Sequence, residues 1–251
     1  MIDFNLLIQG FQQGTLDEAG VKVQVQPAVK DLALHALWFA SGGLGGALSG
    51  VFDKEEEAFK DGFVQAWVEM IVNLALWETS TLALTLPRSD RVLIVAWHFP
   101  ELPKILAFAK QIRALLLVSQ DAPWLASLKA AGCTLPFLTS SGPRELTSQM
   151  NAGRIVGAMM DHVHPDTKTV VAPLLGHQVR VPSGVLELSA ANNYTLSFIG
   201  PRNGKIDIVK SIDAAGQSAK DLAVWVNNCL GAEVERARER WLMWPSMTHE
   251  K

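Results

Sequence analysis

From residue 92 onward the chain repeats one pattern: a short apolar run, an amphipathic segment, then another short run. The runs are V-L-I-V-A-W (92–97), L-L-L-V-S (115–119), T-L-P-F-L-T (134–139), I-V-G-A-M-M (155–160) and T-V-V-A-P-L (169–174). Each is too short for a buried helix and rich in the apolar residues of a strand covered on both faces. The segments near 100–112, 121–131 and 143–152 have helical spacing. Strands separated in this way pair in parallel, because a parallel crossover needs the length that a helix supplies. The expected fold class is therefore α/β, with a mostly parallel central sheet flanked by helices. Further on, Y-T-L-S-F-I-G and K-I-D-I-V-K read as an antiparallel pair across a P-R-N-G turn. A helix from about Ser218 to Trp241 is expected to close the chain.

The residues before the first run read differently. Asp53 with Glu56 three positions on is a capping-box pattern. Phe59, Phe63, Trp67, Met70, Ile71 and Leu74 then recur at helical spacing, as a stripe facing a core. The 251 residues are thus expected to form one domain, 1–251, with a helical N-terminal part (1–90) and a sheet-containing part (91–251). With 49% of residues apolar and 19% charged, such a chain can bury a sizeable core. From Leu32 to Phe52 no Lys, Arg, Asp or Glu occurs. The glycines, serines and histidine in this segment favour a buried or membrane-surface helix pair over a membrane span.

Charge and cysteines narrow the function classes. A net charge of −3, with no basic run and no zinc-finger or RNA-binding signature, excludes a general pull toward nucleic acid. Cys133 and Cys229 fit neither a disulfide framework nor a C-x-x-C site, so a reducing compartment is the simpler reading. The opening M-I-D-F-N lacks the basic start of a signal peptide. The expected location is cytoplasmic, with peripheral contact at the inner face of a membrane left open.

In open parallel sheets, ligands gather at the carboxyl ends of the strands. Three places lie there: His98 after the first strand, Thr139–Arg144 after the third, and Asp161–Asp166 after the fourth. A neutral imidazole at His98 can take a proton from a hydroxyl or amine if a carboxylate fixes its tautomer. Glu101 lies three residues on, although Phe99–Pro100 puts a kink between them. Glu101 alternatively complements the positive end of the following helix. The turn T-S-S-G-P-R offers backbone N–H groups and Arg144 to an anion. In M-M-D-H-V-H-P-D-T, Asp161, His162, His164 and Asp166 form a dense set of potential metal ligands. There H-V-H-P-D resembles the H-x-H-x-D start of the metallo-β-lactamase motif, with Thr167 where that family has its next histidine.

Taken in order, these pieces resemble the lauroyl/myristoyl acyltransferases of late lipid A biosynthesis, within the glycerolipid and lysophospholipid acyltransferase superfamily. V-L-I-V-A-W-H-F-P-E-L is similar to the family's strand followed by H-x-x-x-x-D/E. The stretch from M-N-A-G-R-I-V-G-A-M-M-D-H through V-R-V-P-S-G is similar to its turn, strand, Asp-Gln or Asp-His pair, and V-x-V-P run ending in a Thr/Ser-rich turn. N-C-L-G-A-E-V-E-R-A-R-E-R-W-L-M-W resembles its closing helix and tryptophan ending. The resemblance spans about residues 35–245. It implies transfer of an acyl group from an acyl carrier protein or coenzyme A thioester to a hydroxyl or amine of a lipid or small molecule. The thioester would be a co-substrate, and no cofactor or metal is implied.

By this resemblance His98 is the general base and Asp161 is the aspartate of the Asp-His pair, next to His162. The family's carboxylate position falls on Pro103, so either Glu101 or Asp161 supports the imidazole. Trp97 and Phe99 are expected to line an acyl groove, with Arg144 or Arg180 binding an anion and Ser183 at the substrate-binding turn. The start and the P-S-M-T-H tail lack the family's basic stretches, which suggests a soluble or peripheral relative. Two rival readings stay open. One is a lapsed relative that only binds acyl chains or a carrier. The other is a metal-dependent hydrolase built on Asp161–Asp166.

Overall fold

The computed structural model describes residues 91–118, 137–139, 143–163, 167–202 and 205–243, with shorter pieces at 15–18, 21–24 and 84–87 and eight residues between 59 and 73. The predicted helix at 121–131, the apolar segment 32–52, and His164 and Asp166 lie outside the described residues.

A six-stranded sheet organises the fold. Its strands are β3 (Val92–Ala96), β4 (Leu115–Val118), β5 (Phe137–Thr139), β6 (Val156–Met159), β9 (Thr195–Arg202) and β10 (Lys205–Asp213). The order across the sheet is β10-β9-β3-β6-β4-β5. All neighbours are parallel except β9 and β10, which form the hairpin expected around P-R-N-G. This is the mostly parallel α/β sheet read from the sequence. β3 lies between β9 and β6, and all five of its residues are buried. Its continuous apolar run follows from that position, because a central strand has no solvent face on which to place polar residues.

Helices α1 (Leu102–Ile112), α2 (Pro143–Asn151), α3 (Gly184–Ala191) and α4 (Ala219–Arg236) accompany the sheet. α1 follows β3 with Pro103 in its first turn, where the missing N–H costs nothing. It ends at Arg113, in the left-handed conformation, whose N–H reaches back to the carbonyls of Ala109 and Lys110. α4 starts at Ser218, whose hydroxyl accepts from the Asp221 N–H. Its far end is pinned to β9 by Glu233, a buried carboxylate that takes Arg202 from the strand and Arg236 at 2.8 Å from the helix itself. None of the described helices is long and apolar enough to cross a membrane.

Three expectations need correcting. The run at 169–174 does not join the central sheet. As β7 (Thr169–Leu174) it pairs antiparallel with β8 (His177–Pro182) in a separate two-stranded layer. The reason is local: Leu175 and Gly176 both have positive φ, which builds the tight two-residue turn of a hairpin directly after the run. The N-terminal part is not wholly helical, since β1 (Thr15–Glu18) and β2 (Val21–Gln24) form a hairpin. Between 59 and 73 the described residues are helical, and Phe63 and Met70 of the expected stripe are buried. Finally, the closing helix does not reach Trp241. α4 stops at Arg236, Ala237 leaves the helical conformation, and a 3-10 turn (Arg238–Arg240) delivers Trp241 and Leu242 back to the sheet. There residues 240–242 bond to Glu101, Asp161 and His98, beyond the ends of β3 and β6.

Candidate active site

Parallel register brings the two central residues of the site together. Ala96 of β3 pairs with Met159 of β6, and the Met160 N–H continues the ladder to the Ala96 carbonyl at 3.1 Å. His98 and Asp161 each lie two residues beyond that registered pair, at the carboxyl edge of adjacent strands. Their meeting is thus a consequence of strand order and register and needs no loop rearrangement.

His98 Nδ1 and Asp161 Oδ1 are 2.8 Å apart. Asp161 Oδ2 accepts two further bonds, from the His98 backbone N–H at 2.8 Å and from Trp241 Nε1 at 2.9 Å. The Asp161 side chain is fully buried, whereas that of His98 keeps 26% of its surface exposed. Burial pulls the His98 pKa down, but the charge of Asp161 and its hydrogen bond outweigh this, and the imidazole titrates above its ordinary value. Burial pushes Asp161 up, but the charge of His98 and the bonds from its ring, its backbone N–H and Trp241 outweigh this, and the carboxyl stays below its ordinary range. The result is an ionised, fixed carboxylate that places a proton on Nδ1. Nε2, which has no partner among the described residues, is left as the basic nitrogen.

Glu101 does not support His98, which corrects the first of the two carboxylate assignments. It stands just before α1 without a side-chain bond to the helix start, and its Oε1 accepts from Arg240 at 2.7 Å. Arg240 also grips Glu69 at 3.0 and 3.2 Å. A nearly buried carboxylate needs a cation, and this arginine supplies it. Replacing Glu101 by Gln is therefore expected to lower stability by about 1.5–3 kcal/mol, the range for a charge-assisted bond. The titration of His98 should stay where it is. Thermal unfolding and a histidine NMR titration of E101Q check both parts.

Trp97 and Phe99 are also corrected. Both are core residues at 1% and 0% exposure, their rings packed 4.8 Å apart, and Trp97 Nε1 donates to the Ile199 carbonyl. Side chains so enclosed have no surface to offer an acyl chain. Trp97 ties the end of β3 to β9 instead. His162 is exposed, with its ring edge-on to that of His98 at 6.3 Å between centroids.

The remaining expected residues do not hydrogen-bond to the pair. Arg144 is exposed in the first turn of α2, after a strand of the same sheet. Arg180, on β8, donates to the Thr169 hydroxyl at 3.1 Å. Ser183 precedes α3, its hydroxyl buried and without a partner among the described residues. For the metal reading, Asp161 has both oxygens engaged, and no group of three or more ligating side chains forms among the described residues.

Sequence reading passed over two residues of this site, Trp241 and Arg240. The signal available was the tryptophan ending R-W-L-M-W, legible as a motif but not as a contact.

No family model matches the chain, and no curated protein matches it. Among solved structures it is similar to the 1-acyl-sn-glycerophosphate (LPA) acyltransferase PlsC from Thermotoga maritima, at 16% identity over 84% of this chain and 96% of that chain, with a TM-score of 0.43.

Proposed function

We propose that the chain is an acyltransferase in which His98 is the general base and Asp161 orients it. The observation that carries this reading is the bond between His98 Nδ1 and a buried Asp161 carboxylate, at the carboxyl edge of a parallel sheet, with Nε2 left over. An acceptor hydroxyl or amine gives its proton to Nε2 as its oxygen or nitrogen attacks the carbonyl carbon of an acyl thioester. The carbon–sulfur bond then breaks, and the leaving thiolate takes the proton back from the imidazolium. Asp161 stabilises that imidazolium throughout.

The order of the sequence motifs favours transfer over hydrolysis and a thioester of acyl carrier protein or coenzyme A as donor. Arg144 is the proposed cation for the donor's anionic group. The bond from Asp161 to His98 Nδ1 supports an active enzyme over a lapsed one, with Asp161 proposed to take, from the neighbouring strand, the role of the carboxylate missing at Pro103.

The test is direct. The protein is incubated with acyl-coenzyme A or acyl carrier protein and a set of hydroxyl and amine acceptors, and thiol release and product mass are followed. Thiol release that depends on acceptor, with an acylated product, is the expected result. Release without acceptor would make the protein a thioesterase, and no turnover of either donor would overturn the reading.

A further inference from the structure

A buried carboxylate can serve a histidine only if its rotation is fixed, because torsion about its last bond is soft. In Asp161 the oxygen that faces His98 Nδ1 has that one bond among the described residues, and the rotation is set from the other side. There Oδ2 sits between the His98 backbone N–H at 2.8 Å and Trp241 Nε1 at 2.9 Å. The backbone donor belongs to the same turn as the base and moves with it. The indole comes from elsewhere in the chain and is the independent anchor.

We infer that Trp241 is a positioning residue of the His98–Asp161 pair, its indole N–H holding the carboxylate so that Oδ1 stays on His98 Nδ1. The inference rests on reading His98 as the base.

Three further observations bear on it. Trp241 is 2% exposed, so its ring is held by packing and not by chance contact. An indole donates only and does not titrate, so it favours an ionised acceptor at every working pH. The residues on either side of Trp241 bind the same turn, with the Leu242 N–H donating to the His98 carbonyl at 3.0 Å and Arg240 donating to Glu101 at 2.7 Å. Residues 240–242 therefore act as a strap across residues 98–101. Asn73 completes the enclosure by donating to the Pro100 carbonyl at 2.8 Å. Among the described residues, the charged or titratable groups around the pair are His162, edge-on to His98, and the Glu69–Arg240–Glu101 cluster under the turn.

The experiment titrates His98 by NMR in full-length protein carrying labelled histidine, the signal being assigned by its loss in His98→Asn. It compares wild type, Trp241→Phe, and a protein with 3-benzothienylalanine at 241, which keeps the bicyclic shape and replaces N–H by sulfur. Without the indole donor the carboxylate is free to rotate, and the Oδ1 bond that raises the imidazole is weakened. His98 is then expected to titrate about 0.5 pH unit lower, the scale of one hydrogen bond's net contribution. With an acyl thioester and acceptor, kcat should fall about tenfold with KM unchanged.

A His98 titration that is unmoved or moves upward in the folded benzothienyl protein would overturn the inference, since the ring would then not be what keeps Oδ1 on Nδ1. That protein also decides the matter if Trp241→Phe does not fold. The titration needs no substrate, so a protein that turns over no thioester would sink the acyl-transfer reading and leave this measurement standing.

Discussion

Replacing His98 by Asn is expected to reduce acyl transfer by about a hundred- to ten-thousand-fold while leaving the fold in place. The range is what a positioned general base contributes. The choice of Asn matters. Its amide nitrogen falls close to where Nδ1 stands, so it can still donate to Asp161 Oδ1, which His98 meets at 2.8 Å. The buried carboxylate keeps its bonds from the residue-98 backbone and from Trp241. What disappears is Nε2 alone. Alanine at the same position would leave Oδ1 without its partner, at a cost of about 1–3 kcal/mol, and would confuse lost chemistry with lost stability. The measurement is kcat/KM for transfer beside a thermal melt. Wild-type turnover by a folded H98N would remove His98 from the mechanism.

Much of the arrangement was legible in the sequence, for a physical reason. Strands buried on both faces announce themselves as apolar runs, and V-L-I-V-A-W at the centre of the sheet is the clearest of them. The edge on which ligands gather follows from parallel pairing, and it picked out His98 and Asp161 together. Strand order is less legible. Nothing local in I-V-G-A-M-M says that it lies beside β3, with Ala96 opposite Met159, rather than beside β5. That neighbour relation decided between Asp161 and Glu101.

Chain proximity misled in the case of Glu101. Three residues of separation look favourable, yet the start of α1 turns the side chain toward Arg240, which lies 139 residues away. The same blindness to long range hid Trp241. Local propensity carries α4 straight on, and only the bonds of residues 240–242 to the His98 turn explain why the helix stops at Arg236. Trp97 and Phe99 show a further limit: an apolar residue beside a reactive one reads equally as groove or as core.

Asp161→Asn is expected to lower transfer by about ten-thousand-fold through the tautomer of His98, as much as loss of the base itself. Asp161 accepts from three donors: the His98 ring, the His98 backbone and Trp241. An amide has one oxygen. The two fixed donors on the Oδ2 side claim it, and the NH2 group then faces Nδ1. Nδ1 must become the acceptor, so the ring proton moves to Nε2, the atom that needs to be bare. The pH behaviour follows. Burial remains and lowers the His98 pKa, while the opposing charge of Asp161 is gone, so the imidazole falls below its ordinary value where in the wild type it stands above it. The acid limb of the residual rate therefore moves to lower pH. Stability has its own window. The raised His98 pKa stabilises the fold fully below the unfolded histidine value of about 6.5 and loses that contribution as pH rises through the folded value. The lowered Asp161 pKa stabilises it above the unfolded aspartate value of about 3.9 and loses that contribution as pH falls through the folded value. The melting temperatures of wild type and D161N should accordingly differ most between about pH 4 and 6.5 and draw together on either side. A difference that stays constant from acid to alkaline pH would mean that His98 and Asp161 do not form an ion pair in the folded protein.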